Sequence, residues 1–149
     1  MGYKYSWNEL EDGYLDENGR LKRKLIENEA EKIGRLLAKG GLNREKKKEK
    51  LTKTQLRNFY NEVKALEERI NDEDSFMNNL PHILMLKAKA NYAYRGGKNQ
   101  KIPKSFKDFI VKNIEIISEE ESYTSFDNFT TFFEAVVGYF YGHGGEDNR

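Results

Sequence analysis

The residues best suited to chemistry in this chain are lysines and arginines grouped in two segments. The first group is Lys53 and Arg57, with Lys64 two turns later and a lysine-rich run at 44–50 before them. Backbone amides at a helix N-terminus carry partial positive charge and normally favour acidic neighbours. A helix that begins among cations instead predicts an anionic ligand, for which phosphate is the obvious candidate.

The second group surrounds the end of another predicted helix, and its members are Lys87, Lys89, Arg95, Lys98, Lys101 and Lys104. Cations near a helix C-terminus also stabilise its dipole, so part of this group has a structural explanation. The loop lysines do not. Phosphate contacts supply affinity without reading sequence. Because we find no base-reading signature, the two groups together predict binding to a nucleic-acid backbone.

Catalytic and metal-binding arrangements are missing from the sequence. His82 and His143 have no further ligands at helical spacing, and the chain has no cysteine. Helical RNases of the HEPN type carry an arginine four to six residues before a histidine, and neither histidine of this chain has an arginine at that spacing. No nucleophile–histidine–acid arrangement is present either. Gly96-Gly97 is typical of a helix end rather than a phosphate loop. We therefore expect no enzyme activity, no metal and no cofactor.

Composition limits the class of protein further. The 149 residues include 9 Phe and 9 Tyr, enough aromatic area for one well-packed core. No apolar stretch approaches the ~18 residues of a membrane span, so we expect no membrane partner. The absence of cysteine suits the cytoplasm, where we expect the protein. The formal net charge of +1 hides basic blocks at 20–57 and 81–113 between three acidic ones. Such a surface steers charged partners, unless the blocks neutralise each other within the fold.

Apolar periodicity predicts an all-α fold, a compact five-helix bundle forming a single domain over residues 1–149. The predicted helices cover 20–39, 51–70, 82–94, 103–117 and 126–141. The segments between and around them are an irregular arm at 1–18, a flexible basic loop at 42–50, an acidic connection at 71–79, a turn at 118–125 and a disordered tail at 142–149.

The helix at 51–70 has the strongest local signals. Thr52 and Gln55 have the spacing of a capping box. At ~100° per residue, Lys53, Arg57 and Lys64 fall within about 40° of one another, beside the apolar stripe. This geometry predicts one cationic edge along the helix. A plain surface role for Lys64 stays open, because Glu68 lies four residues on.

The helix at 82–94 is apolar nearly all round, which predicts a central, buried position. Pro81 is expected in its first turn. Tyr92 and Tyr94 are then expected in the core rather than stacked on bases. Lys87 shares a face with apolar residues, so it must snorkel, pair or line a cleft.

Three segments together resemble the small subunit of type III-A CRISPR effector (Csm) complexes. The segments are Leu51-Thr52 with Gln55 to Tyr60, Met85 to Arg95, and Phe126 to Val137. Their order and spacing fit over residues 20–141. The resemblance implies a non-catalytic helical subunit that stacks in several copies along the guide RNA and its target RNA. Its other implied partners are the backbone subunits, which cut the target, and the large polymerase-like subunit, which makes signalling nucleotides.

By this resemblance, Arg57 matches the family's RNA-facing positions best, and Lys53 comes next. Lys87, Lys89 and Arg95 fall inside the second matching segment. Neither the lysine-rich insert at 44–50 nor the acidic tail maps onto the family. A helical protein–protein adaptor and the small subunit of a related type III-B (Cmr) complex remain open as alternatives.

Overall fold

The computed structural model describes residues 5–42, 48–95 and 100–145. Its α-helices are α1 (Asn8–Glu11), α2 (Ala30–Lys39), α3 (Lys53–Arg69), α4 (Glu73–Tyr94), α5 (Lys104–Glu120) and α6 (Tyr123–Gly142). A π-helical segment, Leu25–Glu29, leads into α2. Two two-residue strands, β1 (Gly41–Leu42) and β2 (Lys48–Glu49), pair antiparallel.

The all-helical class is confirmed, but the predicted number of five helices is wrong. Six α-helices lie within the described residues, because α1 forms inside the arm expected to be irregular. The tail is also shorter than predicted: Gly142 ends α6, and the amide of Gly145 donates to the Phe140 carbonyl at 2.8 Å. Residues 43–47 of the predicted loop and 146–149 of the predicted tail lie outside the described residues.

Helix α4 differs most from its predicted form. Residues 73–79 are its first turns rather than a connection, because the Asp72 carboxylate accepts from the Ser75 amide at 2.8 Å and caps the helix there. That hydrogen bond lowers the pKa of Asp72. Pro81 consequently lies inside the helix, where its ring is exposed and water can satisfy the carbonyl it leaves unpaired.

Aromatic side chains from α3, α5 and α6 form the centre of the core. Phe109 and Phe133 are fully buried with ring centroids 5.5 Å apart, and Phe106 lies 5.2 Å from Phe59 on α3. Tilted and edge-to-face contacts of this kind add to the stabilisation from buried area. The core therefore fixes α3, and with it Lys53 and Arg57, against α5 and α6.

The N-terminal segment joins this core through one buried polar contact. The Tyr14 hydroxyl donates to the Asn113 side-chain oxygen at 2.6 Å, and the Asn113 amide donates to the Phe109 carbonyl at 2.7 Å. Burial raises the pKa of Tyr14 well above its ordinary value, so the phenol stays neutral. Each buried polar group here has a partner, as a stable interior requires.

The predicted capping box of α3 is confirmed. The Thr52 hydroxyl accepts from the Gln55 amide at 3.2 Å, and the Gln55 side chain accepts from the Thr52 amide at 3.0 Å. We expect Thr52→Ala to lower the free energy of unfolding by about 1 kcal/mol, because a first-turn amide loses its acceptor. Urea unfolding measures this. Thr131→Ala, an exposed change inside α6, serves as control, and an equal loss there would contradict the capping role.

Candidate nucleic-acid interface

The first turns of α3 carry two cations that the described residues leave uncompensated. The first turn holds no acidic side chain. Lys53 is half-buried and Arg57 is exposed, and neither forms an ion pair or hydrogen bond through its side chain with another described residue. The positive end of the helix dipole and two cationic side chains therefore coincide. This arrangement favours an incoming anion.

Two side-chain ties bring the end of α4 alongside the start of α3. Lys89 on α4 contacts Glu62 on α3 (Nζ–Oε2, 2.9 Å), and Gln100 after α4 contacts Glu49 before α3 (Nε2–Oε2, 2.7 Å). Lys53 and Arg57 lie between Glu49 and Glu62 along the chain, as Arg95 lies between Lys89 and Gln100. The two contacts place the last turns of α4 and the segment after it against α3 and the segment before it, so the elements that carry the two predicted cationic groups are neighbours.

The cations at the end of α4 divide into free and paired ones. Arg95 lies over the ring of Tyr92, with its Cζ 3.9 Å from the ring centroid. Lys101 is exposed and has no side-chain partner in the part of the chain that the structure describes, while its backbone amide donates to the Ala93 carbonyl at 2.7 Å. Lys98, a predicted site residue, lies outside the described residues. Lys104 pairs with Asp108 at 2.7 Å.

Three other predicted site residues are engaged in surface ion pairs. Lys87 pairs with Glu115 on α5 (3.2 Å). Of the three possibilities that its place on an apolar face left open, the structure therefore shows pairing. Lys89 is held by Glu62, as described above. Lys64 pairs with Glu67, at 2.9 Å, rather than with Glu68, and this contact raises the pKa of Lys64. Exposed pairs contribute little stability, so phosphate can replace these carboxylates at small cost.

Sequence reasoning placed Tyr92 in the core, and this prediction is wrong. Tyr92 is 68% exposed, with the Arg95 guanidinium stacked on its ring. Tyr94 is half-buried, with Lys107 Nζ 5.2 Å from its ring centroid. Because residues 82–94 of α4 are apolar nearly all round, their periodicity alone could not identify which face meets the core.

Other chemistries find little support in the described residues. No cluster of three or more histidine or carboxylate side chains suited to a metal forms among them. Nor does any helix in the described ranges combine the length and apolarity needed to cross a bilayer. The charged side chains at the start of α3 and the end of α4 that lack an ion pair with another described residue are cations, and cations attract anions.

Comparison with known proteins adds one positive finding. A family model described as "Csm2 Type III-A" matches residues 20–146. No curated protein and no solved structure matches the chain significantly. The matched span contains α2 to α6 and all the cations discussed above.

Proposed function

We propose that this chain, which belongs to the Csm2 Type III-A family, holds RNA by the phosphate backbone. As a member of that family it is a small subunit of the type III-A CRISPR Csm complex. The family consists of small structural subunits, and we propose that this one performs no catalysis. Several copies would stack along the guide RNA and its target in the cytoplasm. Base pairing then selects sequence, while the protein contacts shape and backbone.

One observation supports this proposal above the others: the uncompensated pair Lys53 and Arg57 on the first turns of α3. Their charges add to the positive end of the helix dipole, and Arg95 and Lys101 extend the same end of the bundle. We assign these four side chains the primary RNA contacts. Lys64, Lys87 and Lys89 would contribute after exchanging a carboxylate for a phosphate, and Lys98 completes the proposed set.

RNA affinity of the isolated chain should fall steeply with salt. With about four phosphate contacts on a single strand, the slope of log K against log salt is expected near −3. A fourfold rise in salt then weakens binding roughly fiftyfold. Titration of labelled single-stranded RNA and of an RNA duplex at several salt concentrations measures this. A slope close to zero would contradict backbone binding.

The natural ligand is testable by purification of the complex from native cells and sequencing of its RNA. We expect short RNAs that share a constant 5′ piece and differ in their spacers. A complex that contains this chain but no such RNA would contradict the proposed role. Retention of the chain after RNase treatment would show protein contacts with the other subunits, which the family membership implies.

A further inference from the structure

One face of α4 is exposed and apolar along most of its length. Its members lie within an arc of about 100° on the helix, and they are Met77, Pro81, Leu84, Met85, Ala88 and Tyr92. Met77 is 49% exposed, Met85 51% and Tyr92 68%. The stripe spans about 22 Å at the helical rise per residue. A continuous apolar stripe of this size marks an interaction surface.

Opposite charges stand at the two ends of this stripe. Asp74 precedes it on the first turn of α4, and Arg95 follows its last residue. Asp74 is exposed and forms no ion pair or hydrogen bond through its side chain with another described residue. Arg95 contacts the Tyr92 ring and no carboxylate among those residues. The face is therefore acidic at its start, apolar in the middle and cationic at its end.

We propose that this face pairs with the same face of a second copy, with the two α4 helices antiparallel. A two-fold axis between residues 84 and 85 brings the members of the stripe together in consistent pairs. Leu84 then faces the second copy's Met85, and Pro81 faces its Ala88. Further out, Met77 meets the Tyr92 ring, a favourable sulfur–aromatic contact.

The same axis also matches the charges. It sets Asp74 of each copy opposite Arg95 of the other, so both ends of the contact are neutralised. Antiparallel helix dipoles add to this complementarity. A parallel arrangement would place like charges together at each end. An isologous contact of this type closes after two copies.

A second copy fits this face better than RNA does. Phosphates need cations, and the middle of the stripe presents only apolar groups. The pairing rests on the fold of α4. Because the pairing engages Arg95 with Asp74, a paired copy does not use Arg95 for the RNA contact proposed above. The pairing is also separate from a side-by-side filament, whose contacts join two different faces. One helix pair makes a small interface, so the dimer should be weak and concentration-dependent.

A charge-reversal set tests the pairing in the full chain. Sedimentation equilibrium over a roughly hundredfold concentration range should show the wild-type chain passing from one to two copies. Asp74→Arg and Arg95→Asp should each weaken dimerisation at least about tenfold, because like charges then meet twice. An equal mixture of the two variants should restore the dimer, since each variant carries the complement of the other.

Apolar variants probe the centre of the contact. Met85→Lys should weaken dimerisation at least about tenfold, whereas His82→Lys, an exposed change on another side of α4, should leave it unchanged. Circular dichroism checks that each variant is folded. A wild-type chain that stays monomeric throughout, or a mixture that fails to dimerise, overturns the proposal. So does a Met85→Lys variant that dimerises as tightly as the wild-type chain, since the apolar centre of the face would then not form the contact.

Discussion

The double variant Lys53→Glu with Arg57→Glu is expected to bind RNA at least about a hundredfold more weakly than the wild-type chain at low salt. Each substitution removes a charge-assisted contact to phosphate and adds a repulsive carboxylate. Both side chains lack partners among the described residues, so their replacement breaks no ion pair within that part of the chain. The salt slope should also become shallower by at least about one unit, because two phosphate contacts disappear.

A matched control separates this local effect from the change in net charge. Arg69→Glu with Lys112→Glu alters the net charge by the same amount. Arg69 lies at the opposite end of α3, and Lys112 lies on α5. We expect this control to weaken RNA binding only slightly. If both double variants lose affinity equally, the cations at the start of α3 have no special role.

Gly34→Leu should destabilise the fold by about 3 kcal/mol or more. Gly34 lies where α2 crosses α6, and even a Cβ atom there would come 2.6 Å from Tyr139 Cβ and 2.8 Å from the Phe140 backbone nitrogen. Neither neighbour can move without shifting α6. Since α2 and α6 form one of the two largest helix contacts, separating them loosens the core. Thermal and urea unfolding measure the loss.

Gly138→Ala provides the opposite expectation on the same helix. A Cβ atom at Gly138 would meet nothing within 4 Å, so alanine adds helix propensity without a clash. Its free energy of unfolding should rise by roughly 0.5–1 kcal/mol.

Equal stability of the Gly34→Leu and wild-type chains would show that α2 and α6 pack less closely than described.

The long helices were predictable because their signals are local. The capping box at Thr52 and the apolar stripe of α3 depend only on neighbours in sequence, and both appear in the structure. The start of α4 was missed because Pro81 suggested a first turn, whereas Asp72 and Ser75 cap the helix nine residues earlier. Helix α1 is a single turn, too short for periodicity to reveal.

The candidate site also combines features that were predictable from local sequence with features that depend on tertiary packing. The sequence alone predicted that Lys53 and Arg57 would stand on the first two turns of α3, with no acidic side chain in the first turn. Their contact with RNA stays a prediction. The partners of Lys87 and Lys89 did not follow, because Glu115 and Glu62 are distant in sequence and meet them only through packing. The exposed face of α4 was hidden for a related reason: an all-round apolar helix does not indicate which side its neighbours cover.

The most direct test of RNA binding at the start of α3 is lysine acetylation of the intact Csm complex, followed by mass spectrometry. Lys53 labelling should fall severalfold when guide and target RNA are loaded, because phosphate covers its amine. Exposed Lys112 on α5 should be labelled equally with and without RNA. If RNA loading leaves the labelling of Lys53 unchanged, as it should leave that of Lys112, the cations at the start of α3 do not hold the strand.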